Sequence, residues 1–315
     1  MPHRRVGRSG LVVSEISLGS WLTYGAGVDD DTASRCIHAA LDEGIFFFDS
    51  ADVYNTGAAE SVLGKVLSPQ VRSELVIATK AFFPMSQDPN DRGLSRKHLH
   101  ESIDKSLKRL QTDYVDLYQC HRMDPATPIE ETVRAMDDLI RSGKILYWGV
   151  SCWDAAAIGE ALRIAKATNA ASPISNQPPY NMLERSLEDE VLPFCAKNGL
   201  GQVVFSPLAE GMLTGKYSGG KVPKGTRADD ESLGRFLRPR MTEQNLTKVD
   251  RLAEWASDLG MTLPALALAW TLRHPSVASA IVGASKPEQL KANAKGAGVK
   301  LDDDLLHRIE SILVG

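Results

Sequence analysis

Asp49, Tyr54, Lys80 and His121 stand at or just past the ends of three successive apolar runs, FFFDSADVY, LVIATK and YVDLYQCH. A carboxylate, a phenol, an ammonium and an imidazole brought together would be equipped for proton transfer. In a parallel α/β barrel the loops leaving the carboxyl ends of the strands open at one mouth, so residues distant in the chain meet there. Reducing a carbonyl by hydride builds negative charge on its oxygen, and such a site must supply a proton and stabilise an oxyanion. Tyr54 is the candidate acid. A phenol of pKa ~10 donates poorly at neutral pH unless a cation favours its ionised form, a part that falls to Lys80, with Asp49 neutralising the lysine. His121 can donate to the carbonyl oxygen or share the Tyr54 proton. Taken singly, each residue has an ordinary reading: a turn cap, a half-buried aromatic, a solvated charge, a satisfied imidazole. The joint pattern at consecutive strand ends is what points to catalysis.

The elements that must position this quartet follow from periodicity. Apolar, β-rich runs alternate with amphipathic stretches almost to the end of the chain, predicting strands at 16–19, 45–49, 75–80, 114–121, 145–150, 174–177, 201–205 and 280–283. Helices are predicted at 30–43, 58–67, 95–110, 128–142, 154–167, 187–197, 243–259 and 287–294. Strands so continuously apolar are covered on both faces, as parallel strands are. The fold expected is therefore α/β, a (β/α)8 TIM barrel preceded by an N-terminal hairpin turning at Gly7 to Gly10. Two helices exceed the repeat, 264–273 and 302–313, and are expected on the outside. Residues 1–315 are read as one barrel domain. Thr127-Pro128-Ile129-Glu130 reads as a capping box opening a helix with an Ile129, Val133, Met136, Ile140 stripe that Gly143 ends, and Ser95 reads as another cap. Residues 209–241 keep no period and read as a long functional loop.

Composition sets the outer bounds. With 315 residues, 43% hydrophobic, the chain can bury a large core, and a net charge of −4 with interspersed signs lacks the field that nucleic-acid binding needs. No run of eighteen apolar residues occurs and the N-terminus leads into no signal-peptide core, so no membrane insertion and a cytoplasmic location are expected. Cys36, Cys120, Cys152 and Cys195 are scattered without metal spacing and read as buried free thiols; no metal site is expected. No GxGxxG follows a strand, and GMLTGKY departs from a P-loop in glycine spacing and in the residue after Lys216. At VGASKPEQLKAN a strand runs into a helix whose Ser285 and Glu288 have capping-box spacing, and a helix N-terminus with Lys286 beside it is an anion site.

The quartet in its order, with FDSADVY, ATK and the strand-end histidine, resembles the catalytic tetrad of the aldo-keto reductases over essentially the whole chain. Within that family GLSRKH, RLQTDYVDLYQCHRMDP, TPIEETVRAMDDLI and YWGVS are similar to the potassium-channel β-subunit branch and its bacterial relatives. The resemblance implies an NADPH/NADP+ cofactor. It places Ser151, Asn176 and Gln177 at the nicotinamide carboxamide, Phe205 stacked on the ring, and Ser206, Pro207, Leu208, Gly211 and Lys216 toward the pyrophosphate. Gly283, Ser285, Lys286, Gln289 and Asn293 would line the adenosine 2′-phosphate end, with Arg227 reaching in from the long loop and Ser20, Trp21 and Asp49 completing the set. Nothing acidic stands where a free ribose 2′-hydroxyl would be read, which favours NADPH, although Gln289 stands where many members carry arginine.

The reading that follows is an NADPH-dependent oxidoreductase reducing aldehydes or ketones, with Tyr54 as general acid. Its substrate pocket would be formed by Trp21, Tyr24, Tyr54, Phe82, Phe83, His121 and Trp153, an apolar and aromatic lining. A second reading is a channel-subunit-like regulatory protein that senses redox state through bound NADPH. A third, a metal-dependent sugar isomerase, lacks clustered carboxylates and histidines. The partner expected is a small carbonyl compound, not nucleic acid. A homotetramer rests on the resemblance alone.

Overall fold

The computed structural model describes residues 1–25, 27–231 and 233–314; Ala26, Ser232 and Gly315 lie outside the described residues. A hairpin of β1 (His3–Arg5) and β2 (Val12–Ser14) comes first, paired antiparallel. Its turn needs glycine at Gly7, where φ is +57° and a Cβ would come within 2.2 Å of the Gly199 carbonyl oxygen. Then follow β3 (Ile16–Gly19), β4 (Phe47–Asp49), β5 (Val76–Ala81), β6 (Val115–Cys120), β7 (Ile145–Val150), β8 (Ser175–Asn176), β9 (Gly201–Val204) and β10 (Val277–Val282). These strands pair in chain order, all parallel, and β10 closes onto β3. The expected eight-stranded barrel is present.

Around it lie α1 (Asp30–Asp42), α2 (Ala58–Leu67), α3 (Arg96–Leu110), α4 (Ile129–Arg141), α5 (Ala155–Thr168), α6 (Val191–Asn198), α7 (Glu243–Asp258), α8 (Leu263–Leu272), α9 (Pro287–Ala294) and α10 (Asp303–Val314). Several helices open on a side-chain cap: the Ser95 hydroxyl accepts from the His98 amide, Asp154 from Ala157 and Thr262 from Ala265. Each such cap contributes about 1 kcal/mol.

Two predicted details are corrected. The 128–142 helix forms with Val133 and Met136 buried, and Gly143 ends it at φ +74°. The capping box does not form: Pro128 is the cap residue and the Thr127 hydroxyl donates instead to Asp124 Oδ2 at 2.8 Å. The second correction concerns which helix is extra. The helix at 264–273 is expected outside the barrel, but every residue of α8 except Pro264 is buried and the helix packs on β10. The amphipathic α7, packed on α8 and α10, is the addition. Composition carried the signal: LPALALAWTL has no polar face to offer to water, whereas a helix laid over others keeps one. Among its described residues, the long segment from 209 to 241 holds only the short helical turns Ala209–Thr214, Ser218–Gly220, Leu233–Arg235 and Arg238–Arg240.

Strand alternation sorts the core into two layers. Phe48, Ile77 and Tyr118 face the helices, while Phe47, Val76, Ala78, Leu117 and Val203 fill the barrel interior. Val6, Leu11 and Val13 of the hairpin join the interior cluster and plug the barrel floor. Counting two residues on from Phe47, Ala78 and Leu117 gives Asp49, Lys80 and Gln119. The same alternation that fills the barrel with hydrocarbon thus turns polar at its carboxyl end.

On the flank, Arg273 lies 3.6 Å over the Trp270 ring and pairs with Glu188 at 2.8 Å. Glu188 also takes Arg185 and the Tyr180 hydroxyl, and Arg185 reaches Glu310 of α10 at 2.7 Å. This closed cluster ties α10 to the barrel.

Candidate active site

Lys80 is fully buried, and its ammonium spends all three N–H groups. It donates to Asp49 Oδ1 at 2.6 Å, to the Ser50 carbonyl at 2.6 Å and to the Tyr54 hydroxyl oxygen at 3.3 Å. Burial alone would pull the lysine down; Asp49 and Tyr54 beside it outweigh that and hold it above its ordinary value. Asp49 is fixed in turn, its Oδ2 accepting from Gln177 Nε2 at 2.8 Å and from Gln119 Nε2 at 3.4 Å. Because the Tyr54 oxygen accepts from Lys80, the phenol's own proton is left free to point at the mouth.

Burial raises the Tyr54 pKa, Lys80 opposes that and Asp49 adds to it, and the net direction is up. The expectation that the lysine brings the phenol down is therefore corrected: in the pair as it stands, Lys80 moderates a rise caused by desolvation. His121 lies just past β6, nearly buried, with its Nδ1 unpaired. Desolvation, then Lys80 and Arg122, keep its pKa well below the imidazole range, so it is a neutral donor at pH 7. Its ring meets Tyr54 edge-on at 5.6 Å and Phe83 at 4.9 Å between centroids. No hydrogen bond joins it to the Tyr54 hydroxyl among the described residues, so a shared proton is not what positions it.

Backbone strain gathers at the same end. Leu22, Asn55, Thr56, Cys152, Ser206, Ala209 and Glu210 all have positive φ and all lie in loops that leave strand ends. For L-residues this conformation costs of order 1 kcal/mol or more and persists where surroundings over-determine it. Asn55 is held by donating to the Tyr24 carbonyl at 2.6 Å, and the Ser206 carbonyl accepts from Asn181 at 2.9 Å.

The residues assigned to a cofactor lie at or beyond the ends of β3, β4, β7, β8, β9 and β10. Asn176 is fully buried, and both its amide nitrogen and oxygen lack a partner, an arrangement costly unless a ligand amide completes it. Ser151, beside it on β7's end, donates to the Gln177 carbonyl at 2.8 Å. Gln177 itself is committed to Asp49 through its nitrogen. Phe205 is half-buried against the interior cluster. Ser206 and Leu208 are half-buried and Pro207 buried. Gly211, at φ +105°, lets the Lys216 ammonium come within 2.9 Å of where a Cβ would be. Arg227 is half-buried, and burial lowers its pKa, with Glu210 opposing. Ser20 donates to Ser50 Oγ at 2.9 Å and supports the loop after Asp49. Trp21 rests on Phe236 of the long loop at 5.6 Å.

Gly283, Ser285, Lys286 and Gln289 are exposed at the start of α9, and Asn293 is buried on it. The cap differs from expectation. Lys286, not Ser285, precedes the helix, and Gln289 Oε1 accepts from the Ser285 amide at 2.8 Å and the Lys286 amide at 3.3 Å. Gln289, not Glu288, therefore closes the helix end.

In the proposed substrate pocket Phe82 and Phe83 are half-buried and stacked edge-on at 5.2 Å. Trp153 is 3% exposed, its indole N–H unpaired. Tyr24 must be withdrawn from the lining: it is fully buried in the layer under the helices, beside Cys36. An aromatic five positions past a strand found the core before it found the mouth. Cys152 is exposed, contrary to the expectation of buried thiols; Cys36, Cys120 and Cys195 are buried.

Three functional candidates escaped sequence reading. Gln119 holds Asp49, and its signal was its place two residues before His121 on one strand face. Arg122 lies beside His121 and had no periodic signal. Asp52, fully buried behind Lys80, accepts from Ser102 Oγ at 2.8 Å and leaves Oδ1 unpaired. Burial, against Ser102 and reinforced by Glu60, pushes its pKa up to about 7.

The comparisons agree with this geometry. A profile of the Aldo/keto reductase family matches residues 15–314. A protein of Oryza sativa subsp. japonica named "Probable voltage-gated potassium channel subunit beta" is 42% identical over 99% of this chain and 97% of its own length. One of the same name from Arabidopsis thaliana is 42% identical with the same coverage. A protein of Schizosaccharomyces pombe named for the same channel subunit is 44% identical over 99% of this chain and 93% of its own. With a parallel barrel, a lysine locked between a carboxylate and a phenol at its mouth, and a match over nearly its full length, this chain belongs to the Aldo/keto reductase family of oxidoreductases.

Proposed function

We propose that the protein reduces an aldehyde or ketone to an alcohol with NADPH, Tyr54 delivering the proton. The observation that carries this reading is the saturated Lys80: with its donors spent on Asp49, Ser50 and the phenol oxygen, the Tyr54 hydroxyl proton has no acceptor among the described residues and is available to a substrate oxygen. NADPH, when bound, supplies the hydride to the carbonyl carbon. Neutral His121 donates to the carbonyl oxygen and steadies it as charge develops. Lys80 stabilises the phenolate left behind, and Asp49 keeps the lysine charged. Asn176 with Ser151 suits a carboxamide, since the unpaired amide offers both a donor and an acceptor. Lys216 and Arg227 supply cations for phosphates, and the exposed amide end of α9 with Lys286 suits a 2′-phosphate.

The test is NADPH oxidation followed by absorbance with nitrobenzaldehyde, comparing wild type with Tyr54→Phe. A wild-type rate that survives the substitution overturns the acid assignment. Quenching of tryptophan fluorescence by NADPH and NADH measures the cofactor preference, and equal affinities remove the 2′-phosphate role of the α9 end.

A second reading is supported by the relatives' names: a subunit that reports cofactor redox state to a membrane channel. No helix among the described residues is long and apolar enough to cross a membrane. Co-purification with a membrane partner, altered by NADPH oxidation, tests it; recovery of this chain alone counts against it.

A further inference from the structure

Arg122 is a cation that the reaction as read above leaves unused. It follows His121 directly and is half-buried. Its Nη1 donates to the His121 carbonyl at 2.5 Å and lies 3.4 Å from the Ser151 hydroxyl. The guanidinium carbon stands 5.7 Å from the Phe83 ring centroid, and Phe83 in turn touches His121. The charge is thereby built into the wall that carries the imidazole. Its field reaches the reacting groups, since it helps to hold His121 low and works with Lys80 against the rise of Tyr54.

No carboxylate among the described residues pairs with this guanidinium. Arg4, Arg72, Arg109, Arg185 and Arg273, similarly sheltered elsewhere in the fold, each hold one within 2.6–2.8 Å. A sheltered guanidinium without a counter-ion is costly, and among the described residues Nε and Nη2 of Arg122 have no partner, leaving a fork of the shape that takes a carboxylate bidentately. A single cation with two donors on one side matches a monoanion.

We infer that Arg122 is a specificity-determining residue that receives the carboxylate of an anionic carbonyl substrate while the carbonyl goes to Tyr54 and His121. The inference rests on the reductase reading for its carbonyl half, and on Arg122 alone for its carboxylate half.

Two measurements on the intact protein test it. In the first, benzoate and benzamide are titrated against the NADP+-loaded protein by tryptophan fluorescence. Wild type should bind benzoate at least about tenfold tighter than benzamide, as a charge-assisted pair in a sheltered site implies. Arg122→Gln should reduce that ratio about tenfold, and Arg122→Lys, which keeps the charge without the fork, should recover part of it. In the second, kcat/KM is compared for carboxybenzaldehyde and its carboxamide analogue; the wild-type preference should reside mainly in KM and shrink in Arg122→Gln. Equal binding of benzoate and benzamide by wild type, or a benzoate preference that persists in Arg122→Gln, overturns the inference. If that happens while nitrobenzaldehyde is still reduced, the reductase reading stands. If the benzoate preference depends on Arg122 but no carbonyl compound turns over, the carboxylate site stands and the reductase reading falls.

Discussion

Two of the ionic clusters in this molecule are built on opposite principles. On the flank, the charged groups of Arg185, Glu188, Arg273 and Glu310 and the Tyr180 hydroxyl close on one another, with Arg273 laid on Trp270, although the Trp270 indole N–H is itself buried without a partner. At the mouth, Lys80 and Asp49 are saturated, but the groups around them are not: His121 Nδ1, both amide atoms of Asn176 and the Trp153 indole N–H are buried and unpaired. A closed cluster spends its polarity on holding helices. An open one keeps polarity in reserve for a ligand, and the difference between structural and chemical charge lies in what is left unsatisfied rather than in the residue types.

If that contrast is right, substitutions should separate cleanly. Tyr54→Phe should lower kcat by about 10³-fold, equivalent to about 4 kcal/mol of barrier, while the melting temperature stays nearly unchanged. A large loss of stability would mean that the phenol is part of the scaffold. Arg273→Ala should do the reverse, costing about 2–3 kcal/mol in urea unfolding by leaving Glu188 short of a partner, with kcat/KM unaltered. A parallel loss of turnover would erase the distinction between the clusters.

Asp52 lies between the two types and gives a pH-dependent test. Its folded pKa of about 7 is above the ordinary carboxylate value, so the folded state holds its proton more tightly than the unfolded chain does. The stability this lends is complete below pH ~4 and is lost as pH rises toward 7. Asp52→Asn should therefore be the more stable protein by about 1–2 kcal/mol at pH 8, with the gap narrowing toward pH 5 in a series of thermal melts. A gap independent of pH would show that Asp52 is not the titrating group. The smallest effect expected is for Glu310→Gln, whose pairing with Arg185 is the more exposed arm of the flank cluster: about 0.5–1 kcal/mol, read as earlier proteolytic release of α10.

Much of this was legible in the sequence because strand alternation is a rigid rule. Phe47 and Asp49 must share a face, as must Ala78 and Lys80, so apolar runs ending in polar residues announced both the barrel and its mouth. The same rule would have found Gln119. What stayed hidden depends on competition among local partners. Thr127 could cap a helix or bond Asp124, and only tertiary placement decides. The α9 cap passed to Gln289 because a chain can enter a helix one residue later at little cost. Tyr24 sits near the mouth in sequence, yet the space beneath α1 took it. Arg122 showed itself only through the absence of a counter-ion, a property that no single sequence position displays.

The plugged floor has a consequence for how the chain is made. Arg4 donates to the carbonyls of Leu272 and Val277, and Glu15 binds both Arg4 and the Gly298 amide, so the hairpin is partnered with residues 268 to 283 positions further along the chain. Until those distant segments emerge, the hairpin has no seat and the cylinder has an unsealed end. Translation must therefore have passed Leu272 and Val277 before this hairpin can lock, and a product truncated before Leu272 would carry a loose hairpin, open to proteases in a way the closed barrel is not.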